Sequence, residues 1–260
     1  MGEAVAAAEM LDQYIDATIL YPLVVILFIG SAELGVRLGL RLRGNANRPE
    51  HMGTLSVSAL GLLALLLAFS LSHALSRYET RRELIVEEAN AIGATAHLAA
   101  MLPEEAQEPI LSTLREYAAV RTSLGFPFDP MKLERDGSRS VDLLTTLWRE
   151  AAAVAQPQSL NAHRFINALE DMTKVQERRL AAHRYHVPDA AYLMLVGMAI
   201  VALGFTGYQA GLTGTRLRGA NVLMSVMVAI VTVLVVDLDQ PARGFIQLPT
   251  QPLAEVAKGI

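Results

Sequence analysis

The chain has 260 residues, 52% of them hydrophobic, with a mean hydropathy of +0.33. It contains no cysteine, which excludes disulfides, thiolate metal sites and a cysteine nucleophile. A formal net charge of −4 offers no basic surface for nucleic acid, so none is expected as a partner.

Distribution matters more than totals. Four stretches hold almost no Asp, Glu, Lys or Arg, and nearly all the charge lies between them. The N-terminal tail carries Glu3, Glu9, Asp12 and Asp16 without a single basic residue, the reverse of a secretory leader. The first apolar run is Ala17–Ala32, extending to about Leu40 past Glu33 and Arg37. Those two charges stand four apart, acid first, the favourable order on one helix face, and mark the entry of the span into the polar interface. The second run, Met52–Ser76, has no acidic residue, lysine or arginine. Crossing some 30 Å of hydrocarbon takes about 20 apolar residues. Lipid offers the backbone no hydrogen-bond partner, so each run is expected to be helical.

Within the second run, Ala64, Ala68 and Ser72 recur every four residues, a flat seam on which a neighbouring helix can approach closely. Gly61, Leu65 and Phe69 form another such series on a different stripe. No breaker follows, and Leu75–Met101 reads as continued helix carrying Arg77, Arg81 and Arg82. Pro103 suits a first helical turn, with Glu104 and Glu105 at the positive end of the helix dipole. Ile110, Leu114, Tyr117 and Arg121 follow at helical spacing. A Gly- and Pro-containing loop leads to a helix over Val141–Ala155 with Trp148, the only tryptophan. After Pro157, Asn161 is a candidate cap for a helix through Phe165, Leu169, Met172 and Val175 to about His186. The third apolar run is Ala190–Thr215 and the fourth Gly219–Val236.

The expected fold is all-α: a polytopic membrane protein of four transmembrane helices. Residues 1–76 hold the tail and the first two spans, 77–187 a helical extramembrane domain, 188–240 the last two spans and 241–260 a C-terminal tail. Arg37, Arg41, Arg43 and Arg48 surround one short loop, and Arg216 and Arg218 fill the other. Counted on short loops, basic residues place both loops in the cytoplasm and the middle domain outside. Counting the arginines at the membrane ends of the middle domain reverses that result.

Candidate site residues follow from charge near the membrane. Repeated around an axis, Arg77, Arg81 and Arg82 would form a positive ring; alone, they would pair with Glu79 and Glu83 or with lipid head groups. Asp237 and Asp239, at the end of the fourth span, suit a cation or a staple holding the tail to a neighbouring subunit. Asn90 reads as a buried polar contact between helices or subunits. His183 and His186 share a helix face near Asp189, too few donors for a fixed metal site. No cofactor is implied. No phosphate loop, Rossmann fingerprint or Ser-His-Asp arrangement is present, so an enzyme is not expected.

Three stretches carry a resemblance. Phe69-Ser-Leu-Ser-His-Ala-Leu-Ser-Arg77-Tyr78-Glu79-Thr-Arg81-Arg82-Glu-Leu84 resembles the end of the second span of bestrophins. Glu88-Ala89-Asn90-Ala91-Ile92-Gly93 and Asp237-Leu238-Asp239-Gln-Pro241-Ala-Arg-Gly244-Phe245-Ile246 make the chain more similar to prokaryotic bestrophin-like membrane proteins. The resemblance implies a homopentamer in a bacterial inner membrane, with termini and middle domain cytoplasmic. It also implies a central anion-conducting pore lined by the second span. Carried over by position, the pore neck falls at Gly61, Leu65 and Phe69, although Gly61 supplies no bulky ring. Two functions follow: an ion channel, or a non-conducting scaffold or sensor whose helical domain binds a partner. A transporter would want broken helices or polar groups at mid-bilayer, and these are scarce.

Overall fold

The structure, a computed structural model, describes residues 17–43, 49–123, 130–155, 159–184, 189–214, 218–239 and 245–260. Among these residues there are eight helices and no strand: α1 (Ala17–Leu42), α2 (Pro49–Ala99), α3 (Glu104–Ser123), α4 (Pro130–Val154), α5 (Leu160–Arg184), α6 (Asp189–Thr213), α7 (Arg218–Asp239) and α8 (Gln251–Gly259). Four of them, α1, α2, α6 and α7, are long and apolar enough to cross a membrane. The chain divides into two compact units, Met1–Ser76 with Val187–Ile246, and Arg77–His186 with Gln247–Ile260. One helix, α2, is unbroken through the boundary at Ser76.

The first unit is built on close backbone approach. Along α1 and α6, Gly35 and Gly39 face Gly204, Gly207 and Gly211. A methyl group on Gly35 would stand 2.8 Å from the Tyr208 amide nitrogen. On Gly39 it would stand 2.9 Å from the Gly211 Cα and the Leu212 nitrogen, and on Gly207 2.9 Å from the Ala32 carbonyl carbon. Lipid is as apolar as a leucine side chain, so burial alone does not drive spans together. Close van der Waals contact does, and it requires small residues at the crossing. Both helices carry the Gly-x-x-x-Gly spacing, Gly35 to Gly39 and Gly207 to Gly211. Ser31 Oγ donates to the Ile200 carbonyl at 2.6 Å and Ser56 Oγ to that of Phe205 at 3.1 Å, which adds polar stitches. Around them pack Phe28, Ala32, Leu63, Leu67, Ala199 and Leu203.

The second unit is packed like a soluble domain. Ile92 of α2, Leu114 and Tyr117 of α3, Leu147 of α4, and Phe165 and Met172 of α5 are all wholly buried. Each fully buried side chain of this size contributes about 1.5–3 kcal/mol. The segment after α7 closes the core with Leu248 and Leu253, and Arg115 donates to the Ile260 carbonyl at 2.8 Å.

Local details differ from expectation in three places. Pro103 precedes α3 instead of lying inside its first turn, and its carbonyl accepts the Ala106 N–H at 2.9 Å. The cap of α5 is Ser159, whose Oγ accepts the Ala162 N–H at 3.2 Å; Asn161 sits inside the helix and donates to the Met101 carbonyl at 3.0 Å. Serine wins because its short hydroxyl reaches the free N–H groups of the first turn. Finally, α4 begins at Pro130, well before Val141, because an N-terminal proline starts a helix at no cost in hydrogen bonding.

Candidate functional site

The apolar part of α2 presents two unlike faces. Leu63 and Leu67 point into the first unit's core. On the other side, Gly61 is exposed, and Leu65 and Phe69 keep 53% and 59% of their surface. Only 17% of the most apolar window of α2 is buried within the chain. Ala64, Ala68 and Ser72 are exposed as well, so among the described residues no helix packs on the seam expected to receive one. The intrachain seam is the glycine crossing of α1 and α6, which the sequence reading passed over although its Gly-x-x-x-Gly spacing was visible.

Past Ser76 the three arginines take different positions. Arg77 is half-buried and Arg82 exposed, whereas Arg81 retains 4% of its surface and donates through Nε to the Ala182 carbonyl at 3.3 Å. Glu79 and Asn90 are exposed on the isolated chain. Among the described residues, Asn90 is therefore not a buried contact between helices of one chain.

Asp237 and Asp239 are buried at the end of α7. Asp237 accepts the Tyr21 hydroxyl at 2.5 Å and the backbone N–H groups of Phe245 and Ile246, each at 2.8 Å. The staple is therefore made to the chain's own tail. A carboxylate satisfied by three donors fixes the direction in which the chain leaves the span. Asp239 accepts the Tyr192 hydroxyl at 2.7 Å. The side chains of His183, His186 and Asp189 lie outside the described residues. Among the described residues, no group of three His, Cys, Asp or Glu is arranged to hold a metal.

One cluster escaped the sequence reading. Glu88 of α2, wholly buried, accepts Arg121 Nε of α3 at 2.6 Å on Oε1, and Arg179 Nη1 of α5 donates to its Oε2. The Tyr117 hydroxyl approaches the same Oε1 at 3.4 Å. Burial by itself would push the Glu88 carboxyl up, but the guanidinium groups of Arg121 and Arg179 offset this and hold it below the usual carboxylate range. Burial pushes the Tyr117 hydroxyl above its ordinary value. The signal for this cluster was legible: Arg121 continued the apolar stripe of Ile110, Leu114 and Tyr117, so its head was bound inward and needed a buried acid.

Comparison with known proteins agrees with this architecture. The model of the bestrophin-like domain matches residues 24–253. A bacterial bestrophin homologue from Klebsiella pneumoniae, solved with a tyrosine-to-alanine change, superposes with a TM-score of 0.65 at 18% identity, over 89% of this chain and 96% of that one. A tryptophan-to-alanine form of the same homologue gives 0.68 at 16% identity, over 90% and 94%. A membrane protein with a leucine-to-alanine change gives 0.69 at 15% identity, over 91% and 96%. No curated protein matches significantly. A family model spanning most of the chain, with the same helical fold in solved relatives, leads to one conclusion: the chain belongs to the bestrophin-like family.

Proposed function

We propose that the chain is one subunit of a homo-oligomeric ion channel of a bacterial inner membrane, its pore lined by α2 from each copy. The observation that carries this is the outward stripe of Gly61, Leu65 and Phe69 on a helix that continues unbroken past the apolar run. An exposed apolar stripe flanked by Ala64, Ala68 and Ser72 suits neighbouring copies packed closely about an axis. In such an assembly Leu65 and Phe69 form apolar constrictions that gate by dewetting, while Gly61 leaves its level wide. The helical domain over 77–187 extends the pathway as a vestibule. Arg77 and Arg82 stand at the pore mouth, and Asn90 takes an interface role between copies. The resemblance to bestrophins supports five subunits and makes anions the first candidate for the permeant ion.

Ion flux in proteoliposomes tests the reading. Wild-type protein passes monovalent ions, and Leu65→Ala and Phe69→Ala raise the flux by widening the constriction. Zero flux from all three, or a stable monomer in nanodiscs, overturns it and leaves a scaffold whose helical domain binds a partner.

A further inference from the structure

The buried cluster around Glu88 does not balance its own charge. Two guanidinium groups, Arg121 of α3 and Arg179 of α5, meet a single carboxylate, which leaves one unit of positive charge inside the helical unit. Among the described residues no second carboxylate acts on either of them. The adjoining pair, Glu87 with Arg178 at 2.6 Å, is neutral in itself. Burial, with Arg121 beside it, holds the Arg179 guanidinium below its ordinary value in spite of Glu88. A charge taken out of water is costly unless an opposite one stands against it.

Donors are in surplus as well. A guanidinium carries five N–H groups, yet Arg121 reaches Glu88 through Nε alone and Arg179 through Nη1 alone. Their other nitrogens have no acceptor among the described residues. One turn before Arg179, on the same face of α5, stands Gln176, and its buried amide has no hydrogen-bond partner among the described residues either.

We infer that the core of the helical unit binds a small monovalent anion, of halide size, on Arg121, Arg179 and Gln176. The inference does not rest on conduction, because all three side chains belong to one compact unit. One negative charge brings the cluster to neutrality, whereas a dianion would only reverse the imbalance. Arg121, Arg179 and Gln176 keep 2%, 5% and 3% of their surface, which leaves no room for a bulky anion. Guanidinium and amide N–H groups supply the donors that such an ion needs once it has lost its water.

The test is denaturant unfolding of the full chain in detergent, followed by Trp148, which packs against this core. Chloride is exchanged for gluconate, an anion too large for the site, at constant ionic strength. A ligand that binds only the folded state raises the unfolding midpoint as its concentration rises. Chloride and bromide should each shift the wild-type midpoint upward in this way, and gluconate should not. Gln176→Leu should weaken the apparent chloride affinity about tenfold, the loss of one hydrogen bond to a charged group. Arg179→Gln leaves Glu88 and Arg121 as a neutral pair and should abolish the chloride response. A wild type indifferent to chloride overturns the assignment without any variant, and so does an undiminished response in Arg179→Gln.

Discussion

The two units of this chain solve the same problem with opposite materials. In the membrane unit the closest contacts are glycine against backbone: Gly35 and Gly39 on α1, Gly207 and Gly211 on α6. In the helical unit they are large side chains, Tyr117, Phe165, Leu147 and Met172, around a buried carboxylate held by two guanidinium groups. The difference follows from the solvent. Water rewards burying a large apolar surface and penalises a charge left unpaired, so the helical unit grows a core and encloses its ion cluster completely. Lipid gives no reward for burying leucine, so the membrane unit depends on shape and proximity and can leave leucines such as Leu62, Leu65 and Leu193 on the outside. Residue size at the contact therefore reads out which solvent a helix pair was built for.

Breaking this contrast should cost most at the buried charges. Glu88→Ala leaves Arg121 and Arg179 uncompensated and should destabilise the helical unit by about 3–5 kcal/mol. Trp148, the only tryptophan, lies in α4 against that core, so its fluorescence during denaturation reports on this unit. The same carboxylate has a pH signature. Its folded pKa lies below the unfolded one, so its contribution is fully present above the ordinary value of about 4.3 and is lost as pH falls through the folded value. Glu88→Gln should flatten the acid limb of a Trp148 unfolding profile between pH 7 and pH 3; an unchanged limb would remove Glu88 from the account.

Gly207→Val probes the other material. Its side chain would meet the Ala32 carbonyl, and overpacking of this kind typically costs about 1–3 kcal/mol. The expected result is loss of monodispersity in detergent with helical content retained. A variant as stable as wild type would show that the crossing yields more easily than its geometry indicates. Asp237→Asn should cost about 1–3 kcal/mol, since an amide cannot accept from all three donors as a carboxylate does. Limited proteolysis between α7 and α8 is the readout, with faster cleavage expected. The smallest effect belongs to Arg139→Ala, which removes the exposed pair with Glu116 and should change stability by less than about 1 kcal/mol.

Much of this was legible residue by residue. Uncharged runs of spanning length located the membrane helices, because hydrocarbon tolerates no unpaired backbone and few charges. The stretch after Ser76 contained no breaker, and α2 continues to Ala99. The helical spacing of Ile110, Leu114, Tyr117 and Arg121 was visible in the sequence, and α3 buries all four. The site was only half legible. Gly61, Leu65 and Phe69 were picked out by spacing and prove to face outward, but Arg77, Arg81 and Arg82, grouped together by closeness in sequence, differ in exposure: Arg77 is half-buried, Arg81 is buried on the Ala182 carbonyl, and its immediate neighbour Arg82 is exposed. Neighbours in sequence are about 100° apart on a helix, so adjacency predicts a shared depth and never a shared face.

By itself, then, the sequence determined what composition controls: which segments enter lipid, that they are helical, and where a helix leaves the bilayer uninterrupted. Those properties depend on transfer of each residue between solvents and need no partner. Tertiary structure decided what depends on a partner: that Glu88 meets Arg121 and Arg179 from two other helices, that Asp237 holds the chain's own tail, and that glycines on α1 and α6 face one another. A carboxylate or a glycine has no fixed role until packing brings up the group that it neutralises or admits.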